Sequence, residues 1–556
     1  MTEFPLRTGG RILVDQLRLQ GCERIFTVPG ESFLAVLDAL HDTAEIDTVV
    51  CRQEGGVAYM AEADGKLTGR PGVAFVTRGP GATNASCGIH VAFQDSTPLI
   101  LFVGDLDRRD KDREGFQEID FPAFFGPIAK WAARIDDARR IPEYVARAWR
   151  VATVGRPGPV VLALPEDMLR DEVAVADRPA VPPLVEHPDP DGIAILHELL
   201  RNAAAPLAIV GGADWSPAAA HHFASWASRV GLPVAAAFRR QDAVANDCPV
   251  YAGNLGYGPN PKLVQRVKDA DLLLVVGARL GEATTDGYTL VTPDHPGQTI
   301  VHVHPDPNEL GRVYHADFPL CSDMGEFAQA LDSWDDPDLL PFGAGAEAHA
   351  DFLAWTTPAP REGVALDLGP CMGLLRDKLP GDTIVCNGAG NFSGWVHRYW
   401  RYAAMPTQLA PTSGTMGYGL PAAIAAALRF PGRSVLCVAG DGDFLMNGQE
   451  LATAAQYGAD LLILLVDNGS YGTIRMHQER DYPERLSATE LKNPDFAALA
   501  RAFDAWAATV ERTEEFGPAL DEALACKGIR LLHLKTDVEV ITNQTTLSAL
   551  RGRSAR

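Results

Sequence analysis

Gly440-Asp441-Gly442-Asp443 closes one apolar run of the chain, and Asn468 closes the next. An aspartate, an asparagine and the carbonyl of Ser470 are hard oxygen donors of the kind magnesium takes, with phosphate oxygens and water to complete an octahedron. The flanking glycines allow a tight turn and a close approach of backbone amides to a ligand. Far upstream, Cys51-Arg52-Gln53-Glu54-Gly55-Gly56 offers a carboxylate that could work on a heteroaromatic ring. One segment reads as an anchor for a diphosphate through a metal, the other as an acid–base partner for the ring that diphosphate carries.

These segments need elements to place them. Ser434 to Ala439 reads as a strand, Gly448 to Ala455 as a helix and Leu461 to Val466 as a second strand, which brings Asp441 and Asn468 to neighbouring strand ends. Similar apolar runs recur at Val73–Val76, Leu99–Val103, Leu207–Val210 and Leu272–Val276. Continuous β-branched and Leu-rich runs bounded by Gly or Asp are expected of strands buried on both faces, hence of parallel sheets, whose ligands sit beyond the carboxyl ends of the strands.

A chain of 556 residues, 46% hydrophobic and 22% charged, is too long for one core. Proline-rich, acidic stretches at about 171–191 and 332–362 read as linkers. The fold class is α/β, with three doubly wound parallel-sheet domains at 1–172, 190–335 and 362–545.

The net charge of -23 argues against a nucleic-acid partner, since a phosphate-binding surface needs clustered Lys and Arg. Nine scattered cysteines without metal spacing read as reduced core residues. Neither a signal-like N-terminus nor a membrane-spanning apolar stretch is evident, so a cytoplasmic protein is expected.

The chain resembles the thiamine diphosphate-dependent, acetolactate (acetohydroxyacid) synthase-like family over nearly all its length. The resemblance rests on Gly440-Asp441-Gly442 with Asn468, and on Ile25-Phe26-Thr27-Val28-Pro29-Gly30, Glu54, Gly79-Pro80-Gly81-Ala82-Thr83-Asn84, Phe116-Gln117-Glu118 and Gly414-Thr415-Met416-Gly417. It implies an N-terminal pyrimidine-binding domain, a central Rossmann-like domain and a C-terminal diphosphate-binding domain. It further implies thiamine diphosphate and Mg2+ as cofactors, bound between the pyrimidine domain of one subunit and the diphosphate domain of another in a homodimer or homotetramer. Glu54 would bond the aminopyrimidine, Met416 would lie under the bend of the cofactor, and Asp441, Asn468 and Ser470 would hold the metal. Pro29, Gly30, Thr83, Asn84, Asn391, Phe392, Gly440, Gly442 and Asp443 would complete the cofactor site.

Departures from the family pattern bear on the substrate. Gln53-Glu54-Gly55 stands where His-Glu-Gln is usual, Arg78 where Ser is usual, and Asn391-Phe392 where Gln-His is common. Arg78 reads as a surface ion-pair partner rather than a substrate ligand. His477 aligns with a Trp that shapes the second-substrate pocket, and could polarise an acceptor carbonyl, shuttle a proton or serve only a structural role. Gln117 lies where simple decarboxylases carry a His pair, which favours carboligation. The central block lacks Gly-x-Gly-x-x-Gly, and the match to flavin-binding relatives is poor beyond Arg279, so FAD is not the favoured occupant.

The expected activity is decarboxylation of a small 2-oxo acid and transfer of the acyl-anion equivalent to a carbonyl acceptor. The competing expectations are a lyase resembling 2-hydroxyacyl-CoA lyase or oxalyl-CoA decarboxylase, and a flavin-dependent 2-oxo acid oxidase. A noncatalytic binding protein is disfavoured by the intact Glu54, Asp441 and Asn468 set.

Overall fold

The computed structural model describes residues 4–334 and 342–554. By contact density they divide into two units. One runs to Leu184 and takes in Ile424–Arg429 and Asn447–Tyr457; the other holds Val185–Ala423, Phe430–Met446 and Gly458 onward.

The first unit is built on a six-stranded sheet: β1 (Arg24–Thr27), β2 (Asp47–Val50), β3 (Gly72–Thr77), β4 (Leu99–Asp105), β5 (Trp131–Arg134) and β6 (Pro159–Pro165). All pairings are parallel, in the order β2-β1-β3-β4-β6-β5. The central strands β4 and β6 are buried along their whole length, as their uninterrupted apolar text requires. Helices Gly9–Leu19, Glu54–Thr68, Arg78–Asp95 and Ile141–Thr153 flank the sheet.

The second unit carries two such sheets. The central one contains β7 (Pro206–Val210), β8 (Val234–Ala236), β9 (Tyr251–Asn254), β10 (Leu272–Val276), β11 (Thr299–His304) and β12 (Phe318–Cys321), in the order β9-β8-β7-β10-β11-β12. The third contains β13 (Ile384–Asn387), β14 (Gln408–Leu409), β15 (Val435–Gly440), β16 (Leu461–Asp467), β17 (Trp506–Val510) and β18 (Ile529–Lys535), in the order β14-β13-β15-β16-β18-β17. Counted from its own first strand, the third sheet repeats the order of the first. The expected α/β class with three parallel sheets is thus realised.

Within the second unit the central and third sheets are joined by a buried polar seam. Asp242 Oδ2 accepts from the amides of Thr407 (3.0 Å) and Gln408 (3.1 Å), and the Gln241 amide donates to Gln408 Oε1 (2.7 Å). The Asn246 side-chain carbonyl accepts from the Tyr402 amide (2.9 Å), and the Arg239 guanidinium bonds the carbonyls of Gly388 and Pro411. Buried polar groups of this kind are costly to leave unpaired, so the seam fixes one relative placement of the two sheets.

The stretch read as a first linker is more ordered than its composition suggests. Glu172–Ala174 pairs antiparallel with Leu6–Thr8, and the backbone of Arg178, Pro179 and Val181 is bonded by the side chains of Gln16 and Gln20 from helix Gly9–Leu19. Two glutamines satisfy an extended segment that has no ladder of its own. The second linker contains helix Ala344–Trp355, and its acidic run Asp335–Asp338 lies outside the described residues, as does the end of the tail. All nine cysteines are free thiols. Among the described residues no helix is long and apolar enough to cross a membrane.

Candidate active site

A sheet ordered 2-1-3-4 reverses its winding between strands 1 and 3, and the crevice beyond their carboxyl ends is where such sheets bind ligands. In the third sheet that place is a cleft of about 250 Å³. It is lined by Ala389–Phe392 after β13, Gly440–Asp443 at the end of β15, Asn468 and Ser470–Ile474 after β16 and Met416 from the intervening loop, with Val540 and Ile541 from the C-terminal segment. The glycine-aspartate segment and Asn468, singled out in the sequence, therefore face one cavity.

The glycines are dictated by neighbours. A Cβ on Gly440 would lie 2.8 Å from the Phe392 ring, one on Gly442 2.6 Å from the Tyr471 ring, and one on Gly388 2.1 Å from Asp443 Oδ1. Phe392 is thus a wall beneath the Gly-Asp-Gly turn. Rather than an open loop, Asp441–Phe444 forms one helical turn directly at the end of β15.

Asp441 is buried, which pushes its carboxyl up to about 6 against the pull of Asn493 and the Gly442 amide, with Asp467 adding repulsion. Asn468 Oδ1 accepts from the Ser470 amide (3.1 Å), an Asx turn that orients its oxygen end. Ser470 is strapped in turn by its hydroxyl to the carbonyl of Thr489 (2.8 Å). Asp443 Oδ1 accepts from the amides of Gly417 (2.8 Å) and Ala389 (3.2 Å), so it ties the Met416 loop and the β13 loop to the Asp441 turn. Its Oδ2 is buried without a hydrogen-bond partner, and burial pushes this carboxyl up to about 7.

These residues fit a diphosphate and a divalent cation. The donor set of one carboxylate, one amide oxygen and one carbonyl is hard and oxygen-only. Among the described residues no group of three or more His, Cys, Asp or Glu side chains gathers as a metal centre, so a cation here would depend on phosphate oxygens to fill its shell. The burial that raises the Asp443 carboxyl lessens the repulsion an anion at that place would meet.

Other predicted residues of this sheet are placed less directly. The Asn391 side chain is spent on the Ile541 carbonyl (3.1 Å) and the Thr473 hydroxyl (2.9 Å). His477 is exposed on helix Gly472–Asp481 and is not among the residues that line the cleft.

In the first unit, Glu54 opens helix Glu54–Thr68, and its Oε2 accepts from the Asn84 side chain (2.9 Å). Thr83 bonds back to the Gly79 carbonyl (2.9 Å), and Gly30 packs on Thr77, where a Cβ would come within 2.3 Å. Pro29 is exposed beside it. Gln117 adopts a left-handed φ of 65°, and its carbonyl accepts from the Gly79 amide (2.9 Å), so the Phe116–Glu118 turn is pinned to the Gly79-Pro80-Gly81 turn. Arg78, itself at φ 41°, pairs with Glu31 (3.3 Å) and Glu166 (3.1 Å), as expected of an ion-pairing arginine.

Two functional supports are not legible in the sequence. Glu450 accepts from the amides of Arg52 (3.1 Å) and Gln53 (3.0 Å) and from the Thr453 hydroxyl (2.6 Å), so a carboxylate from late in the chain caps the turn that presents Glu54. Asn493 donates to both Asp441 and Asp467 at 2.7 Å. Neither carries a local signal beyond a helix start and an Asn-Pro turn; only the fold brings them to their partners.

A cleft of hard oxygens and close-packed glycines at the switch point of a parallel sheet marks an α/β protein suited to anchor a phosphate group. The comparisons with known proteins narrow the class. The N-terminal TPP binding domain of thiamine pyrophosphate enzymes matches residues 7–124, their central domain 193–331 and their C-terminal TPP binding domain 388–534. The chain is 33% identical to the acetolactate synthase large subunit of Parasynechococcus marenigrum over 512 residues, covering 89% of this chain and 82% of that protein. It is 30% identical to the acetolactate synthase isozyme 2 large subunit of Escherichia coli over 536 residues, 95% of each chain. The acetolactate synthase large subunit of Lactococcus lactis is 31% identical, over 89% of this chain and 87% of its own. The chain belongs to the thiamine pyrophosphate enzyme family, on its acetolactate synthase-like branch. It is accordingly a thiamine diphosphate-dependent enzyme that makes or breaks carbon–carbon bonds.

Proposed function

We propose that the protein is a Mg2+-requiring carboligase that decarboxylates a small 2-oxo acid and transfers the acyl-anion equivalent to a carbonyl acceptor. The observation that carries the reading is the single cleft into which Asp441, Asn468, Ser470 and Met416 converge at the end of the third sheet. Residues 1–172 would serve as the pyrimidine-binding domain, 190–335 as the central domain and 362–545 as the diphosphate-binding domain. The active unit would be a homodimer or homotetramer with the site shared between two subunits, in the cytoplasm.

Thiamine diphosphate, when bound, supplies a carbon nucleophile that also takes up the electron pair left by a departing carboxylate. The chain does the rest. Asp441 and the oxygens of Asn468 and Ser470 would hold the cation, and Met416 lines the cleft beside them. Glu54, with Oε2 fixed by Asn84, keeps Oε1 to hold or release a proton at a ring nitrogen, and Glu450 fixes the backbone from which it does so. Gln117, whose carbonyl is pinned to the Gly79 amide, would offer its side chain to a reacting oxygen, while His477, exposed and off the cleft lining, is given no part in the step.

The test is turnover of pyruvate with thiamine diphosphate and magnesium, with and without an aldehyde acceptor, following carbon dioxide and ligated product. Product that requires Glu54 and magnesium supports the reading. Turnover confined to 2-hydroxyacyl-CoA or oxalyl-CoA substrates, or a yellow protein that reduces a flavin, would replace it.

A further inference from the structure

Asp441 and Asn468 sit on different loops, and something must hold those loops in register before any cation arrives. We propose that Asn493 is the positioning residue that does this, its one side-chain amide bridging Asp441 and Asp467 so that the two ligand-bearing loops are set for the cation. The inference rests on the magnesium reading of the cleft.

An Asn –NH2 group has two protons to give. Here both are committed at 2.7 Å, to Asp441 Oδ2 and to Asp467 Oδ1, and both bonds are charge-assisted. Asp467 is the residue directly before Asn468, and its own position is over-determined. Its Oδ1 also accepts from the Gly469 amide (3.0 Å), and its Oδ2 bonds His533 Nε2 (2.9 Å). The His533 ring is buried with Nδ1 lacking a partner, so the contact with Asp467 is what its polarity is used for. With Asp467 held, the Asn493 amide cannot swing without releasing a carboxylate, and Asp441 Oδ2 is thereby fixed.

The segment that delivers Asn493 is strapped along the second ligand loop. The Leu491 amide donates to the Gly469 carbonyl (2.8 Å), and the Tyr471 amide and Ser470 hydroxyl donate to the Thr489 carbonyl (2.9 and 2.8 Å). Segment 489–493 therefore moves with Asn468 and Ser470 while its terminal amide grips Asp441. Outer contacts that orient metal ligands typically govern affinity by about 10- to 100-fold.

The experiment measures Mn2+ dissociation constants by electron paramagnetic resonance on the full-length protein with thiamine diphosphate present, for wild type, Asn493→Ala and Asp441→Asn, and the melting temperature of each without cation. Asn493→Ala is expected to weaken Mn2+ about 10- to 100-fold and to recover activity at saturating Mg2+. Should that variant fail to fold, Asn493→Ser, whose single hydroxyl proton can serve only one carboxylate, carries the same expectation. Wild-type Mn2+ affinity in a folded Asn493 variant, whatever its melting temperature, overturns the proposal while leaving the cleft as the cation site. A wild-type protein that binds no Mn2+, or an Asp441→Asn variant that binds it unchanged, overturns the cation reading and the proposal together.

Discussion

Glu54 has one oxygen tied to Asn84, and on the proposed reading the other is kept for the ring. Removing its charge but not its shape, as Glu54→Gln does, should cost about 100- to 10,000-fold in kcat, with thiamine diphosphate still bound in a calorimetric titration; near wild-type turnover would remove Glu54 from the chemistry. In the proposed cation site, one carboxylate and two neutral oxygens would be too few to hold magnesium alone. Mg2+ and thiamine diphosphate should therefore bind with mutual dependence, each tightening the other by the same factor, and titrations in either order check this. Gly388 tests packing rather than chemistry. A Cβ there would fall 2.1 Å from Asp443 Oδ1, between strand and helical turn where neither can yield. Gly388→Ala is expected to destabilise the fold by about 1–3 kcal/mol, read from urea unfolding.

Among the elements, helix Gly472–Asp481 lines the cleft with Thr473 and Ile474 and is gripped from behind by the C-terminal helix Leu547–Ser554. The grip is the pair of Glu479 with Arg551, Nε to Oε2 at 2.8 Å, and Arg551 holds the Glu479 carboxyl down at about 2 from an ordinary 4.5. A depressed carboxyl stabilises the fold above its unfolded value and loses that contribution as pH falls through the folded one. Stability from this pair should thus be complete above about pH 4.5 and disappear toward pH 2. Glu479→Gln should flatten that part of the acid limb, and chemical denaturation from pH 6 to pH 3 would show it. This latch had no sequence signature, because Glu479 and Arg551 sit in helices whose own text is polar. The strands were legible for the opposite reason. Leu461–Asp467 and Val435–Gly440 are uninterrupted apolar runs ended by a glycine or aspartate, and parallel sheets require that text.

For the whole molecule, Asp441, Asn468 and Glu54 could be found because each stands just past a strand end or at a helix start, and Met416 because of the glycine-rich text around it. Glu450 and Asn493 could not, because their roles depend on contacts between segments that sequence distance hides. The proposed sharing of the site by two subunits has a direct test. If each site takes Glu54 from one subunit and Asp441 from another, mixing inactive Glu54→Gln and Asp441→Asn proteins should regenerate activity, since one site of each mixed pair is intact. A mixture that stays inactive after subunit exchange would place both residues in sites built by single chains.

The first and third sheets share one strand order, and the residues singled out in each follow corresponding strands. Pro29 and Gly30 answer to Asn391 and Phe392, Glu54 to Met416, and Thr83 and Asn84 to Asp441–Asp443. Such correspondence is what two copies of one unit with divided labour would show: on the proposed reading, one keeps the acid–base group and the other the anion anchor. Under that division, residues around Glu54 could change without disturbing the half that anchors the diphosphate.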